Sequence, residues 1–185
     1  MHMTDGHKAP TRRLRLFLRD FRMVEASIAV AEGQSLVSWL ANRRTYVNLR
    51  NAHWVSTKDS VQHAVLKVDQ VLWAASIDSD IPLVSTTQPH APRAVEIQLE
   101  GGLLVRGGLN ISEKQRLSDY LEAQMQFVPL RGGLLMRSGR PAKEVNLVLG
   151  DVALNQSAVQ AMWEIAMQER SEEAVHVENG VPSIG

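Results

Sequence analysis

The six histidines are the side chains of this sequence best suited to acid–base chemistry or to binding a transition metal. They are His2, His7, His53, His63, His90 and His176. Their positions show no metal-ligand spacing, and two of them lie in a polar N-terminal arm. The sequence therefore predicts no metal site, and it predicts no bound cofactor.

The other patterns that carry chemistry are incomplete. The chain has no cysteine, which excludes a disulfide framework and a thiolate nucleophile. The glycine-rich segment 101–108 lacks the Lys-Ser/Thr pair of a phosphate loop and is typical of a hairpin. We assign no catalytic residue from the sequence. An enzyme stays open as a second hypothesis, because a pocket can form between two parts of a chain that no motif connects. Its candidate residues are His53, His63, Asp69 and Arg131.

The elements that would position such residues occur twice. The segment EGQSLVSWL at 32–40, followed by YVNLR at 46–50, matches EKQRLSDYL at 113–121, followed by FVPLR at 127–131. The shift is 81 positions throughout and needs no gap. Repeats of this kind determine the architecture of a fold before any single element does.

Hydrophobic periodicity predicts the same elements in both copies. Apolar residues alternate along 14–18 and 24–30, which indicates a hairpin with one buried face, and a short amphipathic helix and a third strand follow. A second hairpin is expected to turn at Asp69-Gln70 in the first copy and at Gly150-Asp151 in the second. The predicted fold is α+β and mainly β, with two tandem homologous modules related by a pseudo-twofold axis and an additional C-terminal helix.

The predicted boundaries follow from this repeat. They are a flexible arm at 1–13, module 1 at 14–76, a linker at 77–93, module 2 at 94–156, a C-terminal helix at 157–173 and a tail at 174–185. The helix is expected because Val159, Met162, Trp163 and Ala166 fall on one helical face. We expect that face to pack on the protein's own sheet, and a homodimer seam is the alternative.

Charge is balanced overall but uneven along the strands. With 20 Lys or Arg against 20 Asp or Glu, no net field draws the protein to nucleic acid or to a membrane. The first strand carries three arginines on its outward face, whereas the corresponding strand of the second copy carries two glutamates. Such faces either complement each other or recognise a partner. The candidate partner-binding residues are Arg13, Arg15, Arg19, Arg50, Arg131, Glu96 and Glu100.

In the phrase E-x-Q-x-L-x-x-Y/W-L, followed by F/Y-V-P/N-L-R, the chain resembles a short β-rich repeat in uncharacterised bacterial proteins. The resemblance covers residues 14–76 and 95–157. It implies a duplicated fold, and it implies no activity, cofactor or site residue.

The favoured hypothesis is a non-catalytic binding or adaptor protein that recognises a peptide or protein. Sheet edges can add an extended peptide as a further strand, and a cleft between the modules is the other place for a partner. An accessory protein of a peptide-modifying or natural-product pathway fits this chemistry. A nucleic-acid-binding regulator ranks third, because it rests on the arginines of the first strand alone. No apolar segment is long enough to span a bilayer, so the sequence predicts a cytoplasmic protein without a membrane partner.

Overall fold

Alternating apolar residues make this chain mainly β. The structure is a computed structural model, and it describes residues 9–43, 45–78, 81–85, 91–124, 126–137 and 147–166. The strands are β1 (Thr11–Leu18), β2 (Met23–Ala29), β3 (Tyr46–Trp54), β4 (Ser60–Lys67), β5 (Val71–Ser76), β6 (Arg93–Leu99), β7 (Leu103–Leu109), β8 (Phe127–Arg137), β9 (Leu147–Asn155) and β10 (Val159–Glu164). The helices are α1 (Leu36–Ala41) and α2 (Leu117–Ala123).

The ten strands of the described residues belong to one antiparallel sheet with the order β10-β6-β7-β8-β9-β5-β1-β2-β3-β4. Strands β1–β5 form one end of this sheet, which we call the N-terminal half. Strands β6–β10 form the other end, which we call the C-terminal half. The two halves meet where β9 pairs with β5, and we call this junction the seam. No helix in the described ranges is long and apolar enough to cross a membrane.

Each half is strongly curled. Within the N-terminal half β4 and β5 are four strand spacings apart, which would be about 19 Å in a flat sheet. The 3₁₀ turn Val68–Gln70 nevertheless joins them, and four Cα steps span at most about 14 Å. The sheet must therefore bend until its two outer strands approach each other. The turn Gln156–Ala158 imposes the same bend on the C-terminal half, between β9 and β10.

The strand registers repeat between the halves. Leu14 of β1 lies opposite Ala26 of β2, and Val95 of β6 lies opposite Gly107 of β7, each residue 81 positions after its counterpart. The third strands also match, because β3 and β8 carry a bulge at the same place. There Asn51 and Gly132 adopt positive φ angles of 48° and 57°. Asparagine and glycine are the residues that adopt this conformation most readily.

The last two strands of each half correspond at a spacing of 88 positions. Leu66 of β4 lies opposite Val47 of β3, and Leu154 of β9 lies opposite Val128 of β8. Leu154 comes 88 positions after Leu66, whereas Val128 comes 81 positions after Val47. Strands β5 and β10 follow the same spacing in their pairing with β1 and β6. Because 88 exceeds 81 by seven, the chain has seven more residues between equivalent positions of β8 and β9 than between those of β3 and β4. A gapless shift over the whole repeat was therefore wrong.

The predicted second hairpins were wrong as well. The turn at Asp69-Gln70 is present, but β4 and β5 do not pair, because β5 lies between β1 and β9. The turn expected at Gly150-Asp151 lies inside β9, where Gly150 has a φ of 72° opposite the bulge at Gly133. The periodicity located the strands, but it could not tell which neighbours they pair with.

The predicted C-terminal helix at 157–173 was wrong for the residues that the structure describes. Val159–Glu164 form strand β10, which pairs with β6 and occupies the place that β5 has in the N-terminal half. Backbone pairing with an exposed sheet edge outweighed the helical spacing of four apolar residues. Trp163 is 38% exposed and does not belong to a helical face. Residues 167–173 of that segment and the tail at 174–185 lie outside the described residues.

The sheet does not show the closed arrangement that the predicted pseudo-twofold requires. A twofold would pair β4 with β10 just as β9 pairs with β5. In the described residues these two strands are instead the opposite ends of the sheet. The halves are therefore arranged head to tail.

The predicted linker contributes to the core where it is described. Ile81 and Leu83 are buried, and the backbone of 82–83 accepts hydrogen bonds from Leu36 and Val37 of α1. These linker contacts fix α1 against the sheet.

The first strand starts at Thr11, inside the arm predicted at 1–13.

Two apolar cores lie on opposite faces of the sheet at the seam. The N-terminal core is formed by residues that include Leu16, Trp39 and Leu40, and the C-terminal core by residues that include Ile97 and Tyr120. Adjacent seam residues point to different cores. Since both faces of the seam strands are buried, β5 is apolar along its whole length up to Ser76.

Candidate functional site: the two sheet edges

Strand β4 is one edge of the sheet, and little in its sequence protects it. In the described part of the chain it pairs with β3 alone, so its outer backbone groups are available over eight residues. Natural edge strands are commonly protected by charges, prolines or bulges. This strand, SVQHAVLK, has no proline, and its lysine stands at the very end. Val61 and Val65 are both exposed.

Strand β10 is the opposite edge. Among the described residues it pairs with β6 alone, and its sequence VQAMWE carries a formal charge at the last position only. Arg93 forms an ion pair with that last residue, Glu164. Trp163 is exposed, and Met162 is half-buried against the C-terminal core. In the described part of the chain, β10 is thus a second edge that is unpaired on its outer side, and four of its six residues are apolar.

The seam shows the counterparts of the two edge strands when they are paired, because β9 corresponds to β4 and β5 corresponds to β10. Trp73, Ala74 and Ala75 of β5 lie opposite Leu154, Ala153 and Val152 of β9. Asn155, at the end of β9, is completely buried and donates a hydrogen bond to the Val71 carbonyl at 2.8 Å. Its side-chain oxygen also accepts hydrogen bonds from the backbone nitrogen and the hydroxyl of Ser157, at 3.1 Å and 2.9 Å.

Equivalent residues differ in exposure according to whether a neighbour covers them. Phe127 and Ala153, on the C-terminal side of the seam, are fully buried and belong to the N-terminal core. Their counterparts in the N-terminal half are Tyr46 and Val65, which are 56% and 67% exposed. The C-terminal half is thus covered at positions where the N-terminal half is exposed to solvent.

Most of the predicted partner-binding charges form ion pairs within the chain. Arg15 of β1 contacts Glu25 of β2 at 2.6 Å, and Arg13 lies 3.7 Å from the same carboxylate. Glu96 of β6 pairs with Arg106 of β7, at the positions 81 residues later. The ion pair is therefore present in both halves, but the arginine and the glutamate have exchanged strands. A role in partner binding stays a prediction for these residues.

Arg19 and Glu100 meet where the halves adjoin. They form an ion pair although they are equivalent residues 81 positions apart. Arg19 also donates to the Asp69 carbonyl at 2.5 Å and to the Ser157 hydroxyl at 2.7 Å. It thereby connects the turns that precede β5 and β10 with the turn after β6. At this position the opposite charges of the two halves complement each other, which was one of the two outcomes expected from the sequence.

The two remaining candidates, Arg50 and Arg131, lie apart. Arg50 is exposed on β3, opposite His63 of β4. Arg131 lines a cleft of about 520 Å³ beside the seam, together with Ser76, Leu149 and Asp151. The Arg131 guanidinium lies 3.8 Å from the Asp151 carboxylate, which also accepts a hydrogen bond from the Gly132 backbone at 3.0 Å.

The residues proposed for the enzyme alternative do not come together. His53 of β3 and His63 of β4 lie at the β4 edge, and the His53 ring is 3.0 Å from the Ser60 hydroxyl. Arg131 is on β8, which is separated from β3 by four strands in the sheet order. None of the other three candidates lines the Arg131 cleft. The remaining histidines lie outside the described ranges, and within those ranges no three acidic or histidine side chains could hold a metal ion.

Electrostatic shifts occur next to both the β4 edge and the C-terminal core. A hydrogen bond from Lys67, the last residue of β4, lowers the pKa of the Asp69 carboxyl, and the same bond raises the pKa of Lys67. Both groups lie on the surface, so this pair orients the end of β4 without adding much stability. Burial raises the pKa of Tyr120 to about 12.

The sequence prediction named sheet edges in general, but it missed Val65, Met162 and Trp163 as edge residues. The signal that could have found them is the comparison of VLWAAS at 71–76 with VQAMWE at 159–164. Both segments follow a strand and a short polar turn, at a spacing of 88. The helical spacing of the second segment hid this match.

The chain matches no protein-family model, no curated protein sequence and no solved structure.

Proposed function

We propose that this protein is a non-catalytic binding protein, made of two copies of one five-stranded unit, that adds a polypeptide strand to its exposed sheet edges. The observation that carries the proposal is the pair of long, nearly uncharged edges β4 and β10. An added strand would bond to their outer N–H and C=O groups, and its alternate side chains would contact the apolar residues of the edge.

The repeated registers support the duplication in this proposal. Four strand pairs in each half have corresponding registers, at spacings of 81 and 88. The seam supports the mode of binding, because it is itself a strand added to an edge of this kind. A partner at β4 would therefore form contacts of a type that the molecule already uses.

The test is selection of short peptides from a random displayed library, followed by amide hydrogen exchange of the full chain with a selected peptide. Binding should slow exchange in β4 or β10, because the added strand bonds to their outer amides. Val65→Arg should weaken binding at β4, since the arginine replaces an exposed apolar contact. Val148→Arg is the matched control, because Val148 is 76% exposed on a strand that is not an edge. Binding that slows exchange elsewhere and ignores both edges would contradict the proposal.

A further inference from the structure

The head-to-tail order of the sheet leaves two unlike edges that fit each other. Strand β9 pairs with β5 inside the chain, and the equivalents of these strands are β4 and β10. If the pairing of β9 with β5 is repeated between two chains, β4 of one chain therefore lies beside β10 of the other. A single chain offers one half of this junction at each end of its sheet.

We infer that the strand added at β10 is β4 of a second copy of this chain, so that the protein assembles head to tail through a junction that repeats its internal seam. This inference rests on the proposed function and names its partner. The contact is heterologous, since each copy contributes a different surface, and such contacts form rings or filaments.

The internal seam predicts the register of the junction. Ala74 lies opposite Ala153 in the seam, and their equivalents are Met162 and Val65. Trp73 lies opposite Leu154, and their equivalents are Ala161 and Leu66. In the same way Trp163 falls opposite Ala64.

The side chains at these positions are complementary in size and polarity. Met162 packs on its own C-terminal core, and the 67% exposed Val65 would cover its outer side. Trp163 would lie over Ala64, a small residue that packs against the N-terminal core of its own chain. A large side chain opposite a small one allows close packing, as the seam requires of strands buried on both faces.

Two further features of the described residues favour a second copy as the partner. Tyr46 is exposed where its counterpart Phe127 is buried by the preceding half, so the C-terminal half of a preceding copy would cover Tyr46 in the same way. The contacts that Arg19 makes with the neighbouring turns can also be repeated between copies. Arg19 pairs with Glu100 inside the chain, and a following copy would bring its own Arg19 to the Glu100 side. Opposite charges would then alternate along the assembly, whereas identical charges would repel.

The first test measures assembly by sedimentation of the full chain over a range of concentrations. The wild type should form species larger than a monomer. Val65→Arg should raise the dissociation constant by about 100-fold or more, because it buries a charge without a partner in the junction. Val148→Arg, the same change at an exposed site away from both edges, should assemble like the wild type.

The second test fixes the register by disulfide formation, which is clean because the chain has no cysteine. Opposite residues of antiparallel strands have Cα atoms about 4.5–5.5 Å apart, which suits a disulfide. Oxidation of a mixture of Val65→Cys and Met162→Cys chains should give a cross-linked dimer, and neither variant should cross-link alone. Val61→Cys is the register control, because four residues displace it by about 13 Å.

Three outcomes would overturn the inference. They are a wild type that stays monomeric at every concentration, cross-linking of Val65→Cys with itself, and an equal yield from Val61→Cys. A monomeric chain whose β4 amides are protected by a selected peptide would overturn self-assembly and leave the proposed function standing. A chain with no added strand at either edge from any source would overturn both.

Discussion

The seam and the two sheet edges contain equivalent strands in different surroundings. At the seam, β5 and β9 are covered on both faces, and nearly all of the paired residues are apolar. At the edges, β4 and β10 keep apolar residues but mix them with His63, Gln62 and Gln160. Burial on both faces therefore goes with a continuous apolar run, and exposure goes with a mixed one.

Hydrogen bonding shows the same contrast. Asn155 ends β9 and uses its amide to fix the next turn and the Val71 carbonyl. Its equivalent at the end of β4 is Lys67, which reaches outward to Asp69 at 2.8 Å. An asparagine buried without water needs such partners, whereas a lysine at an edge remains hydrated. The seam is thus specified by polar contacts as well as by packing.

The largest predicted difference is between Trp73 at the seam and Trp163 at the edge. Trp73 is almost completely buried and stacks on Phe17 with ring centroids 5.4 Å apart. Trp73→Ala should lower the free energy of unfolding by about 3–5 kcal/mol, because it leaves a large cavity. Trp163→Ala should cost about 1 kcal/mol or less in the monomer, since the ring is partly in water. Urea unfolding at low protein concentration measures both, and equal costs would contradict the comparison.

The next effect compares Asn155 with Lys67. Asn155→Ala should lower the free energy of unfolding by about 1–3 kcal/mol, because the carbonyl of the buried Val71 and the backbone N–H of Ser157 lose their hydrogen-bond partner. Lys67→Ala, the control at the equivalent edge position, should change it much less, because its ion pair is on the surface. Thermal unfolding of the two variants checks this. An unaffected Asn155→Ala variant would mean that its hydrogen bonds are replaced by water.

The smallest effect is a pH dependence. Burial raises the pKa of Tyr120 from its ordinary value of 10.0 to about 12. A group whose pKa is higher in the folded state stabilises it fully below the unfolded pKa and loses that contribution as pH rises through the folded pKa. Stability should therefore fall between about pH 10 and pH 12, and Tyr120→Phe should reduce this fall. Tyr46→Phe is the control, because it makes the same change at an exposed site. A fall of the same size in Tyr120→Phe would assign the effect to other groups.

The first part of each half could be predicted from the sequence. The alternation along 14–18 and 24–30 located β1 and β2, and the shift of 81 carried them to β6 and β7. These strands pair with their neighbours in sequence, so local periodicity and a turn are enough to define them. The short helices and the third strands were located in the same way.

The second part of each half depends on contacts that periodicity does not contain. Strand β5 pairs with β1 and β9, both far from it in sequence, and its continuous apolar run gives no preferred face. Periodicity also misassigned β10, because the spacing of its apolar residues fits one face of a helix as well as a strand that pairs with β6. Seven additional residues before β9 also broke the constant shift, so VQAMWE was not aligned with VLWAAS. The edges could not be recognised before the strand order was known.

The shared seam also has a consequence for the order in which the protein is synthesised. Leu72, Trp73 and Ala75 belong to the N-terminal half, but they pack in the C-terminal core. Strand β5 leaves the ribosome roughly 80 residues before β9, and at about 5–20 residues per second this interval lasts about 4–16 s. During that interval the nascent N-terminal half exposes an apolar strand on which chaperones or other nascent chains can act. The hazard ends when β9 emerges and covers it.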